Sequence, residues 1–241
     1  MTSPDVTVIQ NSPDLPIGSL GDQLASAGLQ MRIVRADQGE GLPPRADLGV
    51  GLIVLDGWMT AYDDDVAPWL PELRALLLEA ATDGVPTLAI GLGAQLLAVA
   101  SGGQVTIAAP PGPETGPVRV FWRPEALADP LVGAVARSVA EAGERASLVP
   151  SMHVDAVTEL PEGSVWLASS NMYPFQVFRL GSAVGTQFHA EVSAGLLANW
   201  LLAGEDVAPE DAGDTADRMA SSGRAVAAGL IAAVRAAGAL T

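Results

Sequence analysis

The chain has 241 residues, a formal net charge of −16, no cysteine and no lysine; all 12 of its positive charges are arginines. Without cysteine there is no disulfide, no thiolate nucleophile and no Cys-ligated zinc or iron–sulfur cluster, and without lysine there is no Schiff base and no Walker-type phosphate lysine. Two histidines, His153 and His189, argue against a multi-histidine metal site, so neither a metal nor a cofactor is expected.

Apolar residues make up 49% and charged residues 17%, a globular balance. A chain of this length buries roughly 70–75% of its unfolded surface. The acidic surplus argues against nucleic acid or an anionic membrane as partner, since both select basic surfaces. No apolar run is long enough to span a bilayer. The Met-Thr-Ser-Pro-Asp start lacks the basic and apolar regions of a signal peptide. The expectation is a cytoplasmic protein.

In chain order, Asp5 to Gln10 is a β-branched run, Ser19 to Gly28 has helical spacing with a glycine stop, and Gln30 to Ala36 reads as a second strand. Val50 to Leu55 and Val85 to Ile90 are short continuous apolar runs, as strands buried on both faces should be. Helices follow each, over Pro68 to Asp83 and Ala94 to Ala100. This βαβα rhythm predicts a parallel sheet covered on both faces. From Pro110 to Pro117 the prolines predict a loop, with a strand over Val118 to Trp122. Val165 to Ser169, Phe175 to Leu180 and Ala183 to Phe188 predict a partly antiparallel extension. Glu205 to Asp217 reads as an acidic linker and Ser221 to Ala239 as an alanine-rich helix.

Ligands in such sheets bind beyond the carboxyl ends of the strands. Three strand ends carry chemistry: Asp56-Gly57-Trp58, Gly91-Leu92-Gly93-Ala94-Gln95, and His189-Ala190-Glu191. The Gly91 turn is no dinucleotide fingerprint, because Leu96 stands where the third glycine is needed. Its strand–turn–helix form suits anion stabilisation by backbone amides, or its glycines only permit a tight turn. His189 and Glu191 share a face if their strand continues, and a carboxylate beside an imidazole raises its basicity. His153 and Asp155 form a similar pair in a loop. Asp56, at a buried strand end, needs a partner or caps the following turn.

Together these segments resemble the class I glutamine amidotransferase domain family, in particular stand-alone members similar to the amidotransferase half of GMP synthase. The motifs are Pro86-Thr-Leu-Ala-Ile-Gly91-Leu-Gly-Ala-Gln95-Leu-Leu-Ala98 with Gly102-Gly103-Gln104-Val105, then Gln187-Phe-His189-Ala-Glu191, His153-Val-Asp155 before Leu160-Pro-Glu-Gly163, and Asp56-Gly57-Trp58-Met59-Thr60-Ala61-Tyr62-Asp63-Asp64. Smaller echoes are Glu114-Thr-Gly116, Asp129-Pro-Leu131 and Tyr173-Pro-Phe-Gln176.

The resemblance implies a flavodoxin-like three-layer α/β sandwich with a mostly parallel central sheet and a small antiparallel extension. Residues 1–204 would form the amidotransferase-like domain, and residues 205–241 a linker and a helix packed on it. It further implies His189 as general base, Glu191 as its orienter, and the Gly57 and Leu92 amides as oxyanion-hole donors. Gln95 and the loop Met152, His153, Val154 and Asp155 would line a pocket for glutamine. Gly91 stands at the position of the family's nucleophilic cysteine, Asp56 replaces the first hole glycine, and Trp58 replaces a proline. Glycine forms no thioester, and a carboxylate beside a developing oxyanion repels it. Two functions then compete. One is an enzyme repurposed for an amide, glutamyl or acyl group of a small molecule through His189, Glu191 and Asp56. The other is a non-catalytic protein that binds glutamine or a related metabolite or regulates a separate synthetase.

Overall fold

The computed structural model describes residues 4–192 and 212–239. Five strands of the central sheet are parallel: β1 (Val6–Gln10), β2 (Met31–Arg35), β3 (Gly51–Val54), β4 (Thr87–Ile90) and β11 (Ala183–Thr186), in the order β2-β1-β3-β4-β11. The sheet continues antiparallel through β10 (Val177–Leu180), β9 (Val165–Ser169), β6 (Glu114–Trp122) and β7 (Ser147–His153). A separate two-stranded antiparallel sheet pairs β5 (Gln104–Thr106) with β8 (Ala156–Glu159). The helices are α1 (Gly18–Ser26), α2 (Leu70–Thr82), α3 (Leu92–Ala100), α4 (Gly133–Glu141) and α5 (Ala212–Gly238).

The alternation of side chains along the inner strands divides the core in two. Val6, Val8, Ile53, Leu55, Leu88 and Ile90 point to one face, where they meet α1, α4 and α5 through residues such as Leu20, Leu24, Val135, Val226 and Leu230. Ile9, Leu52, Val54 and Ala89 point to the other and meet α2 and α3 through Leu73, Leu77, Leu96 and Leu97. This is the expected three-layer α/β sandwich, and both faces of β3 and β4 are buried.

Several sequence boundaries need correction. The proline-rich stretch is not all loop: β6 starts at Glu114 and carries Pro117 opposite Pro150. This is tolerated because β9 pairs with β6 only at Phe121 and Trp122, so Pro117 faces no ladder on that side. His153 ends strand β7 instead of lying in a loop. The acidic segment is helical from Ala212, so Asp214 and Asp217 belong to α5; Glu205 and the rest of that segment up to residue 211 lie outside the described residues. Asp214 in the first turn complements the helix dipole.

Candidate active site

The cleft lies at the carboxyl ends of β3 and β4. After β3 the chain turns through Asp56 and Gly57. Asn11 holds this turn, donating from Nδ2 to the Leu55 carbonyl at 2.7 Å and accepting from Trp69 Nε1 at 3.1 Å. The following loop is pinned by Arg74, which makes paired bonds to Asp64 at 2.8 and 2.7 Å and a third to the Ala61 carbonyl at 2.9 Å. The Arg74 guanidinium holds the Asp64 carboxyl below its ordinary range. Asp63 accepts from the Thr60 amide at 2.7 Å. The acids of Tyr62-Asp63-Asp64 are therefore engaged in shaping the loop.

After β4 the chain makes the tight turn at Gly91, with φ +55° and ψ −115°, directly into α3. That left-handed φ suits glycine. Gly93 is required for another reason: a Cβ there would stand 2.5 Å from the Val54 carbonyl oxygen, so its absence lets α3 sit close on β3.

The two turns meet through Asp56. Its Oδ1 accepts from the Leu92 amide at 2.5 Å, and the neighbouring Gly57 amide also favours the charged carboxylate. A Cβ built on Gly91 would lie 2.4 Å from both Cγ and Oδ1 of Asp56. The carboxylate thus fills the space in front of Gly91 and takes the Leu92 amide, one of the two donors that the family resemblance implies for an anion hole. The sequence predicts a carboxylate beside those donors; the structure bonds it to one of them.

The third turn brings His189. Strand β11 ends at Thr186, so His189 and Glu191 do not share a strand face as the alternation argument expected. They meet in the turn that follows, with His189 Nδ1 2.8 Å from Glu191 Oε1. Backbone bonds lock this turn: Gln187 N to Gln176 O at 2.9 Å, His189 N to Pro150 O at 2.9 Å, and Ser19 N to Glu191 O at 2.9 Å. Gln187 adds a bond from the Val157 amide to its Oε1 at 2.9 Å. On the outer side, Gly223 of α5 packs so closely that a Cβ there would lie 2.8 Å from the Ala190 oxygen.

His189 Nε2 faces Asp56 Oδ2 at 3.6 Å, an ion-pair distance too long for a hydrogen bond. Glu191, His189 and Asp56 therefore line up, carboxylate–imidazole–carboxylate, with His189 1% exposed. Burial alone lowers an imidazole pKa, but the Glu191 charge and hydrogen bond, then the Asp56 charge and the Met152 backbone, outweigh it and raise His189 to about 9. Burial raises the Asp56 carboxyl, against the opposing pull of His189 and the two amides. The imidazole is thus held as a cation, a proton donor and not a ready base at neutral pH.

In front of this line lies a cleft of about 250 Å³. Asp56, Gly57, Trp58, Gly91, Gln95, Met152, His153, Val154 and Asp155 all line it; His189, Glu191 and Leu92 are not among its lining residues and join it through Asp56, which His189 and Leu92 contact directly and Glu191 through His189. Met59, Thr60 and Thr115 also line it and were not singled out from sequence. Gln95 donates to the Asp155 carbonyl at 3.2 Å, while Trp58 is 64% exposed at the rim.

A second buried cluster supports the cleft wall. His153 Nε2 lies 3.2 Å from Glu114 Oε2, and Nδ1 lies 3.1 Å from the Asp155 carbonyl. Glu114 also accepts from Ser170 at 2.7 Å and from Gln176 at 2.6 Å, and Tyr173 packs edge-on against His153. Glu114 and Gln176 stood in the sequence only as minor motif echoes; their role appears once β6, β7 and the segment before β10 converge. Among the described residues no group of three or more His, Cys, Asp or Glu side chains could hold a metal ion, and no helix is long and apolar enough to cross a membrane.

Residues 17–204 match the family model described as glutamine amidotransferase class-I. A GMP synthase [glutamine-hydrolyzing] of Nitratiruptor sp. is 31% identical over 157 residues, which cover 62% of this chain and 26% of that protein. The chain thus spans about a quarter of that relative's length. A glutamine amidotransferase structure from Methylobacillus flagellatus superposes with a TM-score of 0.79 at 28% identity, covering 98% of this chain and 96% of the other. A glutamine amidotransferase structure from Thermotoga maritima gives 0.73 at 24% identity, covering 98% and 97%, a likeness of fold.

Proposed function

The chain belongs to the class I glutamine amidotransferase family, and from that premise we propose that it does not hydrolyse glutamine through a thiol but acts at an amide, glutamyl or acyl group of a small molecule through Asp56, His189 and Glu191. The observation that carries this reading is the position of the Asp56 carboxylate. It fills the space that a side chain at Gly91 would take and lies 3.6 Å from His189 Nε2. Where the family resemblance places a cysteine, the chain has glycine; where it places glycine, the chain has Asp56. One substitution removes the thiol and the other puts an ionisable group in its place. His189 and Glu191 would then serve that group as they would have served a thiol.

Gly57 and Leu92 take a changed part in this reading. The Leu92 amide holds Asp56, so the pair does not polarise a substrate carbonyl directly. Trp58, Gln95, Met152, His153, Val154 and Asp155 form the walls that select the substrate. The test is hydrolysis of a panel of small glutamyl amides, esters and thioesters by the intact protein and by His189→Gln. A His189-dependent rate supports the reading; equal rates in both proteins across the panel contradict it.

A second reading is favoured by the same filled hole. A protein whose Leu92 amide is satisfied by its own carboxylate is suited to bind without turnover. It would hold glutamine or a related amide in the cleft, or regulate a separate synthetase, a partner suggested by the GMP synthase relative whose additional length this chain does not cover. Calorimetry with glutamine and related amides separates the two: tight binding with no His189-dependent turnover favours this one.

A further inference from the structure

We propose that Asp56 is a covalent nucleophile and that the site hydrolyses an activated acyl group, a thioester or reactive ester, through an acyl–aspartyl anhydride; this rests on the catalytic reading above. The two oxygens of Asp56 are in different surroundings. Oδ1 accepts from the Leu92 amide, while Oδ2 faces His189. An aspartate that only capped α3 would need the first contact and not the second. A nucleophilic carboxylate needs both, because one oxygen must attack while the other carries the charge of the later tetrahedral intermediate.

A lone pair of Asp56 Oδ2 bonds to the acyl carbon. The carbon–sulfur bond breaks, and the departing thiolate takes the proton of the His189 imidazolium at Nε2. The protein then carries the acyl group on Oδ2. With the Asp56 charge gone, His189 loses one of the two carboxylates that hold its proton, so the neutral imidazole becomes a base. It takes a proton from water as the water oxygen bonds to Asp56 Cγ, and the carbonyl electrons move onto Oδ1, where the Leu92 amide receives them. Collapse breaks the Cγ–Oδ2 bond. The product carboxylate leaves with the original Oδ2, Asp56 retains the water oxygen, and the remaining proton goes to solvent.

The chemistry of the cleft narrows the substrate. A carboxylate is a weak base and expels readily only a group that is itself weakly basic, so a thiolate or an aryloxide suits it and the amine of an unactivated amide does not. The lining holds Asp56 and Asp155 and no arginine, which disfavours an acyl phosphate at this spot. Trp58, Met59, Met152 and Val154 offer apolar contact for an uncharged acyl chain.

The experiment uses the full chain with the N-acetylcysteamine thioester of acetate and with p-nitrophenyl acetate, in water enriched in oxygen-18. After several turnovers the protein is digested and the peptide containing Asp56 is weighed. The expected result is a gain of about 2 Da located at Asp56, loss of turnover by at least tenfold in Asp56→Asn, and an Asp56 hydroxamate when hydroxylamine is present. Turnover that depends on His189 but leaves all label in acetate and none in Asp56 overturns the nucleophile while leaving the site catalytic. Hydrolysis of neither compound above the rate of His189→Gln, with no hydroxamate, overturns both this proposal and the catalytic reading beneath it.

Discussion

The side chain of Asp56 and the missing side chain of Gly91 occupy one place: a Cβ on Gly91 would stand 2.4 Å from the Asp56 carboxyl carbon. Each residue is therefore a condition for the other. Gly91→Ala combines this overlap with a left-handed φ of +55°, and should cost about 3 kcal/mol of folding stability. In an Asp56→Gly background only the backbone strain remains, about 1–2 kcal/mol. Urea denaturation of the four proteins in the cycle measures the coupling; additive effects would show that the two positions do not compete for space.

The chain has only two histidines, so their titration by NMR is readily assigned. His189 should titrate near 9, held there chiefly by Glu191 and secondarily by Asp56. Glu191→Gln should lower that value more than Asp56→Asn does, because Nδ1 bonds Glu191 at 2.8 Å while Asp56 stands 3.6 Å from Nε2. The reverse order would place the dominant partner on the wrong side of the ring.

The same shift predicts a pH dependence of stability. The folded-state value, about 9, lies above the ordinary 6.5, so the folded protein binds this proton more tightly than the unfolded chain. The stabilisation is complete below about pH 6.5 and is lost as pH rises through 9. Its size is on the order of 3 kcal/mol. Asp56, whose carboxyl is also raised, loses its contribution in the same direction from a lower starting pH. Thermal melts from pH 6 to 10 should show a decline that is flatter in His189→Gln; an unchanged slope in that variant would assign the decline elsewhere.

Most of the fold was legible because both faces of β3 and β4 are buried, so Gly51–Val54 and Thr87–Ile90 stand out as apolar runs between helical segments. The strand β7 was not, because Pro150 and Ser151 interrupt Ser147–His153, and a proline inside a run ordinarily demotes it. Helix α4, Gly133–Glu141, was missed as well; it is short and has no side-chain N-cap bond. The start of α5 reads as linker because Asp214 and Asp217 look like solvated turn residues. At the site, the residues were found but their arrangement was not. Local spacing places Asp56 and Gly91 at two strand ends, and nothing in it tells that a side chain from one fills the vacancy at the other, 35 positions apart in a parallel sheet where β3 and β4 are neighbours.

The buried cluster beneath the cleft should be structurally expensive to open. Glu114→Ala leaves Ser170, Gln176 and the His153 ring without their shared acceptor and should cost about 2–4 kcal/mol. Glu114→Gln, which keeps one acceptor oxygen, should cost less than half of that. Chemical denaturation compares them, and equal losses would mean that packing, not hydrogen bonding, holds the wall.

The central claim is that Asp56 stands where a thiol would act, in a frame otherwise kept. Ammonia release from glutamine by four proteins tests it most directly. The expected result is no release from the intact protein, none from Gly91→Cys, where Asp56 still fills the space in front of residue 91, none from Asp56→Gly, and measurable release only from the protein carrying both changes. Ammonia release by Gly91→Cys as fast as by the double variant, or by the unaltered chain and Asp56→Gly alike, would contradict it.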